Sequence, residues 1–274
     1  MDITDVVSLD DSRLQAYRTL RRPLEHQLQG IFVAEGEKVV RRLFESNLTI
    51  VSALLTPEWF EAYRKLLESK GDALHVYIAA KQLVESIVGF HLHQGIMAVA
   101  QIPEPTPIET IITQSPRPHL FVSIDGLTNA ENVGVLVRNC AAFGVQALFV
   151  GDTASSPYLR RAVRSSMGTV FRMPVVHVVG LADALNTMRS EYTIRNIAAH
   201  PHATATALNR VKLTENCCIV FGSEGGGISN AVLAACDESV AIPMKNAVDS
   251  LNVGSASAAI LYEAMRQRSV ESDP

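Results

Sequence analysis

Apolar positions in the first hundred residues return with two alternating periods. In "EKVVRRLFESN", "PEWFEAYRKLLESKG" and "KQLVESIVG" they recur every three to four residues, the spacing of an amphipathic helix. Between these segments lie "TIVSALLT", "LHVYIAA" and "GIMAVAQI", short apolar runs rich in residues that favour strands. Pro57 suits the first turn of its helix, where a missing N–H removes no bond, and Gly71 suits the left-handed residue that ends it. The pattern predicts a small α/β domain over residues 1–103.

The texture then changes. "IPEPTPIETIITQSPRPH" has prolines at 103, 105, 107, 116 and 118, which cannot occupy a helix interior or a central strand, so 104–118 reads as a linker. Beyond it come "HLFVSIDG", "QALFVGD", "RMPVVHVVG", "YTIRNIAAH", "NCCIVFGS" and "ESVAIPM", with helical patterns between them over 132–143 and 181–190. Continuous apolar runs bounded by Gly, Asp and Ser are expected of parallel strands covered on both faces. The closing "VGSASAAILYEAMRQRS" predicts a helix with a face of small residues. Residues 119–274 thus read as a second α/β domain built on a parallel sheet.

Composition narrows the function classes. At 274 residues and 47% hydrophobic, the chain can bury one large core or two ordinary ones. "MDITDVVSLDDSRL" lacks the basic stretch and apolar run of a signal peptide, and no run of about 18 apolar residues occurs, so a cytoplasmic protein is expected. Cys140, Cys217, Cys218 and Cys236 show no CxxC spacing, which points to reduced, packed thiols and no structural metal. A net charge of −4 opposes a chain-wide nucleic-acid footprint. Two basic clusters stand out, Arg18, Arg21 and Arg22, and Arg160, Arg161 and Arg164; composition alone reads them as solvated helix faces.

In open α/β sheets ligands sit beyond the carboxyl ends of strands, which directs attention to three turns. The turn from Gly222 to Gly227 has neither the GxGxxG of dinucleotide folds nor the Lys–Ser/Thr of a P-loop, which sets aside dehydrogenase and nucleotidase chemistry. It offers a backbone that a ligand can approach closely, with Glu224 as a fixed carboxylate or a helix cap. Ser250 and Asn252 in "SLNVGSAS" are good N-caps, and a capped helix end is the simplest reading there. Arg138 lies among Val135, Leu136, Val137, Cys140, Ala141 and Phe143, so its guanidinium needs a solvent edge or a buried partner. His91, His93, His200 and His202 form pairs near turns, where polar loop residues are commoner than bases or metal ligands, and no G-x-S-x-G elbow occurs.

Taken together, in order and spacing, the three turns resemble the SpoU, or TrmH, family of RNA ribose 2′-O-methyltransferases. Asn132, Gly134, Arg138, Phe143 and Gly144 match its first motif; Gly222, Glu224, Gly225 and Gly227 its second; Ile242, Pro243, Met244, Ser250, Leu251, Asn252 and Val253 its third. "RRAVRSSMGTVFRMPV" is similar to the family's Ser-x-Gly segment. The likeness covers residues 119–266, and "FVAEGEKVVRRLFES" and "HQGIMAVA" extend it loosely to an L30e-like substrate-binding domain. Gly254 departs from the pattern, which has Ser there, and is expected to loosen the start of the last helix.

The resemblance implies a trefoil-knotted C-terminal domain, homodimeric, that binds S-adenosylmethionine through Gly222, Ile242 and Leu251. It implies methylation of a ribose 2′-hydroxyl in structured RNA, ribosomal RNA before transfer RNA, with Arg138, Asn132, Glu224, Ser250 and Asn252 as the catalytic set and no metal. The family gives Arg138 the role of base, yet arginine holds its proton too firmly for that. A charge-stabilising and phosphate-anchoring role fits better, with Glu224 pairing Arg138 within the chain or across a dimer. A non-catalytic RNA-binding member, or a methyltransferase of small molecules or proteins, are the rival classes.

Overall fold

The structure, a computed structural model, describes residues 1–270 apart from 9, 72, 89–94, 202–204 and 247; His91, His93 and His202 lie outside the described residues. Two compact units emerge, one of Met1–Glu104 with Tyr158–Arg172 and one of Pro105–Pro157 with Met173–Pro274.

The first unit begins with β1 (Asp2–Val6), α1 (Gln15–Arg18), α2 (Pro23–Leu28), β2 (Ile31–Glu35) and α3 (Glu37–Phe44). It continues through β3 (Ile50–Leu55), α4 (Pro57–Glu68), β4 (His75–Ala79), α5 (Lys81–Val88) and β5 (Ile96–Gln101). The sheet order is β1-β4-β3-β5-β2, with β1, β4 and β3 parallel and β5 antiparallel to both its neighbours. Pro57 opens α4, and Gly71 after it takes a left-handed φ of 84°. The apolar pattern does not foretell β1, because only Val6 of its five residues is buried. Residues Tyr158–Arg172 join this unit through aromatic contacts: the Tyr158 and Phe171 rings lie 5.4 and 5.5 Å from that of Phe32.

The second unit holds α6 (Ile108–Gln114), β6 (Leu120–Ile124), α7 (Ala130–Ala142) and β7 (Ala147–Gly151). After α8 (Arg160–Ser165), which falls in the segment just described, come β8 (Val175–Val178), α9 (Leu181–Tyr192), β9 (Arg195–Ala199), β10 (Thr206–Ala207) and β11 (Cys217–Phe221). The chain ends with α10 (Asn230–Ala234), β12 (Glu238–Ala241) and α11 (Val253–Val270). All seven strands are parallel, in the order β10-β12-β9-β11-β6-β7-β8. The expected α/β class with a parallel sheet is therefore the one observed. All five residues of β6, β7 and β11 are buried, as continuous apolar runs require of strands covered on both faces. Phe121, Phe149, Leu185, Met188, Cys218 and Val220 lie at the centre of one core.

Within 104–118 the residues between Pro107 and Pro116 have room for two helical turns, and Ile112 of that helix, α6, is buried in the same core. The prolines flank α6 and none enters it, so the rule against interior proline holds while the stretch is structured. Cys140, Cys217 and Cys218 are buried free thiols, and Cys236 is half-buried. Burial pushes all four above the usual thiol range, Cys236 to about 12.

Candidate functional site

The site is assembled at the carboxyl ends of β6, β9, β11 and β12. Asn129 caps α7, its side chain accepting from the backbone N–H of Glu131 at 2.9 Å and of Asn132 at 3.2 Å. Asn132, Val135 and Asn139 then recur at i, i+3 and i+7, so they share the helix face that meets α11. Asn139 Nδ2 donates to the Gly254 carbonyl at 2.7 Å and to Ser257 Oγ at 2.9 Å. A Cβ on Gly254 would stand 2.7 Å from Val135 Cγ1, so glycine lets the two helices close. This corrects the expectation that Gly254 loosens the helix start: it is a close-packing position, and its N–H is held by Asn252 Oδ1 at 2.8 Å.

The glycine turn is closed at its base and open at its tip. Ser223 and Gly227 exchange backbone bonds of 2.9 and 3.1 Å, and Ser229 N–H donates to the buried Asp125 carboxylate at 2.7 Å. A Cβ at Gly222 would come within 2.3 Å of the Gly227 backbone, which excludes any other residue there. At the exposed tip, Glu224 Oε1 accepts from Asn132 Nδ2 and, at 2.8 Å, from Asn252 Nδ2. Asn252 also reaches Asn132 Oδ1 at 3.2 Å, so one residue from each of the three turns joins a single network. Asn252 is both the helix cap of its simplest reading and a partner of Glu224.

Beside this network lies a cavity of about 480 Å³. Gly222, Ile242 and Leu251 line it, as do Glu224, Ser250 and Asn252. His200 and Met244 line it as well. His200 carried no distinguishing signal in its loop context, and only the end of β9 brings it here. The fold also shows functions for Asn139 and Asp125 that sequence reasoning missed. For Asn139 a signal existed, its seven-residue spacing from Asn132.

Arg138 is the exception. It stands six residues beyond Asn132, about 240° around the helix, on an exposed part of α7 outside the cavity lining. Within the chain Glu224 bonds to Asn132 and Asn252, not to Arg138, so the expected intrachain pair does not form. The need for a partner lapses too, because the guanidinium is solvated and not buried.

Comparison with known proteins gives the arrangement a context. The model of the SpoU rRNA Methylase family matches residues 119–262. A Mycobacterium tuberculosis protein named as an uncharacterized tRNA/rRNA methyltransferase is 32% identical over 278 residues, covering 97% of this chain and 93% of its own length. A 23S rRNA (guanosine-2′-O-)-methyltransferase of Vibrio parahaemolyticus is 36% identical over 179 residues, 64% of this chain and 71% of that one. Among solved structures, the SpoU methyltransferase AviRb of Streptomyces viridochromogenes, in complex with the cofactor AdoMet, superposes with a TM-score of 0.81 at 25% identity. It covers 95% of this chain and 100% of its own.

Proposed function

The chain belongs to the SpoU rRNA Methylase family, and from that membership we propose that it methylates a ribose 2′-hydroxyl of structured RNA, ribosomal RNA foremost, using S-adenosylmethionine. The observation that carries this reading is the convergence of all three turns, with Gly222, Ile242 and Leu251 on one cavity and Asn132, Glu224 and Asn252 bonded at its edge.

The residues present suit that cofactor. The cavity combines exposed glycine backbone with apolar side chains from Ile242, Leu251, Met244 and Val253, a setting for a flat base held by shape and main-chain groups. Its polar side carries the Glu224 carboxylate, an appropriate neighbour for a cationic ligand. When bound, S-adenosylmethionine supplies an electrophilic methyl group on a sulfonium.

The chain's own residues orient and stabilise. Asn132 and Asn252 fix the Glu224 carboxylate, and Ser250, exposed on the cavity wall, offers a hydroxyl to the ribose. Arg138 provides a planar fork for the developing alkoxide and the adjacent phosphate, while the hydroxyl proton leaves to solvent. Since Arg138 lies off the cavity within one chain, we assign its role through a homodimer of the second unit, one protomer's α7 serving the other's cavity. The first unit, in this reading, is the L30e-like domain that docks RNA by shape and 2′-hydroxyl contacts.

Purified protein incubated with tritiated S-adenosylmethionine and either unmodified 23S rRNA or tRNA transcripts tests the proposal, with nucleoside mass spectrometry of the product. A 2′-O-methyl nucleotide in the ribosomal transcript is expected. Label in tRNA alone would redirect the substrate, and cofactor binding without label in either RNA would refute the reading.

A further inference from the structure

A buried carboxylate in the first unit holds two arginines. Glu35, its side chain 4% exposed, ends β2; its Oε2 receives Arg160 Nη1 at 2.6 Å and its Oε1 receives Arg164 Nη1 at 3.0 Å. The two arginines are four residues apart on α8 and therefore share a helix face. Arg42 of α3 donates from Nη1 to the Met167 carbonyl, two residues past the end of α8. Residues 158–172, YLRRAVRSSMGTVFR, contain four arginines and no acidic residue, in a chain whose net charge is −4.

Arg161 and Arg164 are exposed, as a solvated helix face requires, but Arg160 and Arg164 are also tied to Glu35, which composition does not suggest. Free surface arginines sample many rotamers, whereas a carboxylate withdrawn from water requires good pairing and so fixes its partners. Glu35 neutralises one of the two charges and leaves the other. Arg164 remains 63% exposed, and Arg161, exposed beside it, takes no part in the clamp. Each clamped fork uses Nη1 on Glu35 and keeps further N–H groups to offer.

We propose that this arginine face, Arg160 and Arg164 held by Glu35 with Arg161 exposed beside them, binds the phosphate backbone of the RNA substrate. The inference rests on the RNA reading above. Planar forks match phosphate oxygens two at a time, and a chain otherwise acidic needs such a local cluster to displace counterions from RNA.

Filter binding of an unmodified 23S rRNA transcript across a potassium chloride series tests it. The Arg161→Gln/Arg164→Gln variant should show a log–log salt slope shallower than wild type by about two, and Arg161→Gln alone by about one. Calorimetric affinity for S-adenosylmethionine should be unchanged in both. Wild-type slope and affinity in the variants would overturn the proposal while leaving the methyltransferase reading intact; failure of the wild-type protein to bind the transcript would overturn both. If circular dichroism shows the double variant unfolded, Arg161→Gln, which leaves the clamp whole, decides.

Discussion

Asn252 donates its side-chain amide to Glu224 Oε1 at 2.8 Å, tying the residue before the last helix to the tip of the glycine turn. Charge-assisted bonds of this kind contribute about 1.5–3 kcal/mol. Glu224→Gln keeps the shape, loses the charge and sets a second NH₂ against the two asparagines. We expect kcat/KM for methyl transfer to fall by about 10- to 100-fold, with a melting temperature lowered by a few degrees at most because Glu224 is exposed; steady-state kinetics beside a thermal melt measures both.

Arg138 is assigned to a partner's cavity, which complementation tests. Arg138→Ala and Glu224→Ala should each be inactive, while random mixed dimers pair an intact arginine with an intact carboxylate at one of their sites. Co-expressed with two tags and isolated through both, the mixed dimers should regain about half of wild-type activity, and the unseparated mixture about a quarter. No recovery would place Arg138 and Glu224 in the same chain's site. Arg138→Lys, keeping charge without the fork, should slow single-turnover methylation by about tenfold or more at full cofactor affinity.

Gly222→Ala would drive a Cβ to within 2.3 Å of the Gly227 backbone, which no side-chain motion relieves. The turn must open, at a loss of about 3 kcal/mol. A lowered melting temperature with no stabilisation on adding S-adenosylmethionine is the expected thermal-shift result.

Gly254→Ala places a Cβ 2.7 Å from Val135 Cγ1. Overpacking of this kind destabilises by about 1–3 kcal/mol, and Val135→Ala in the same chain should return part of it. A double-mutant cycle in urea that finds the two changes additive would mean α7 and α11 are not in the contact described here.

Burial holds the Cys140, Cys217 and Cys218 thiols neutral well above their usual range. Native protein at pH 8 should therefore leave these three unlabelled by a thiol reagent, with all becoming reactive in denaturant. The sign for stability follows: the folded thiols ionise at higher pH than the unfolded ones, so this contribution is whole below about pH 8.5 and declines as pH rises beyond it. Urea midpoints at pH 7 and pH 9.5 measure the decline.

Much of this was legible in the sequence because it depended on local pattern. The six apolar runs after residue 119 are β6, β7, β8, β9, β11 and β12; β6, β7 and β11 are buried along their whole length and so must be apolar throughout, while β8, β9 and β12 are only partly buried. β10, only Thr206 and Ala207, is too short to leave a pattern, and β1 is too exposed. The three turns were recognisable by residue type, whereas their bonding was not. Whether Glu224 meets Arg138 or Asn132 depends on helix rotation, and the mid-helix arginine looked buried only because its sequence neighbours are. Nor could local pattern place Tyr158–Arg172 with the first unit, because the partners Phe32 and Glu35 are more than a hundred residues away.

That excursion has a consequence for how such a protein can be divided. A chain beginning after Glu104 would carry Tyr158 and Phe171 without Phe32 to cover them, and Arg160 and Arg164 without their carboxylate. Cutting the chain at this junction therefore strands the 158–172 segment as well: a second unit made to stand alone would need that stretch redesigned with polar residues in place of its buried rings.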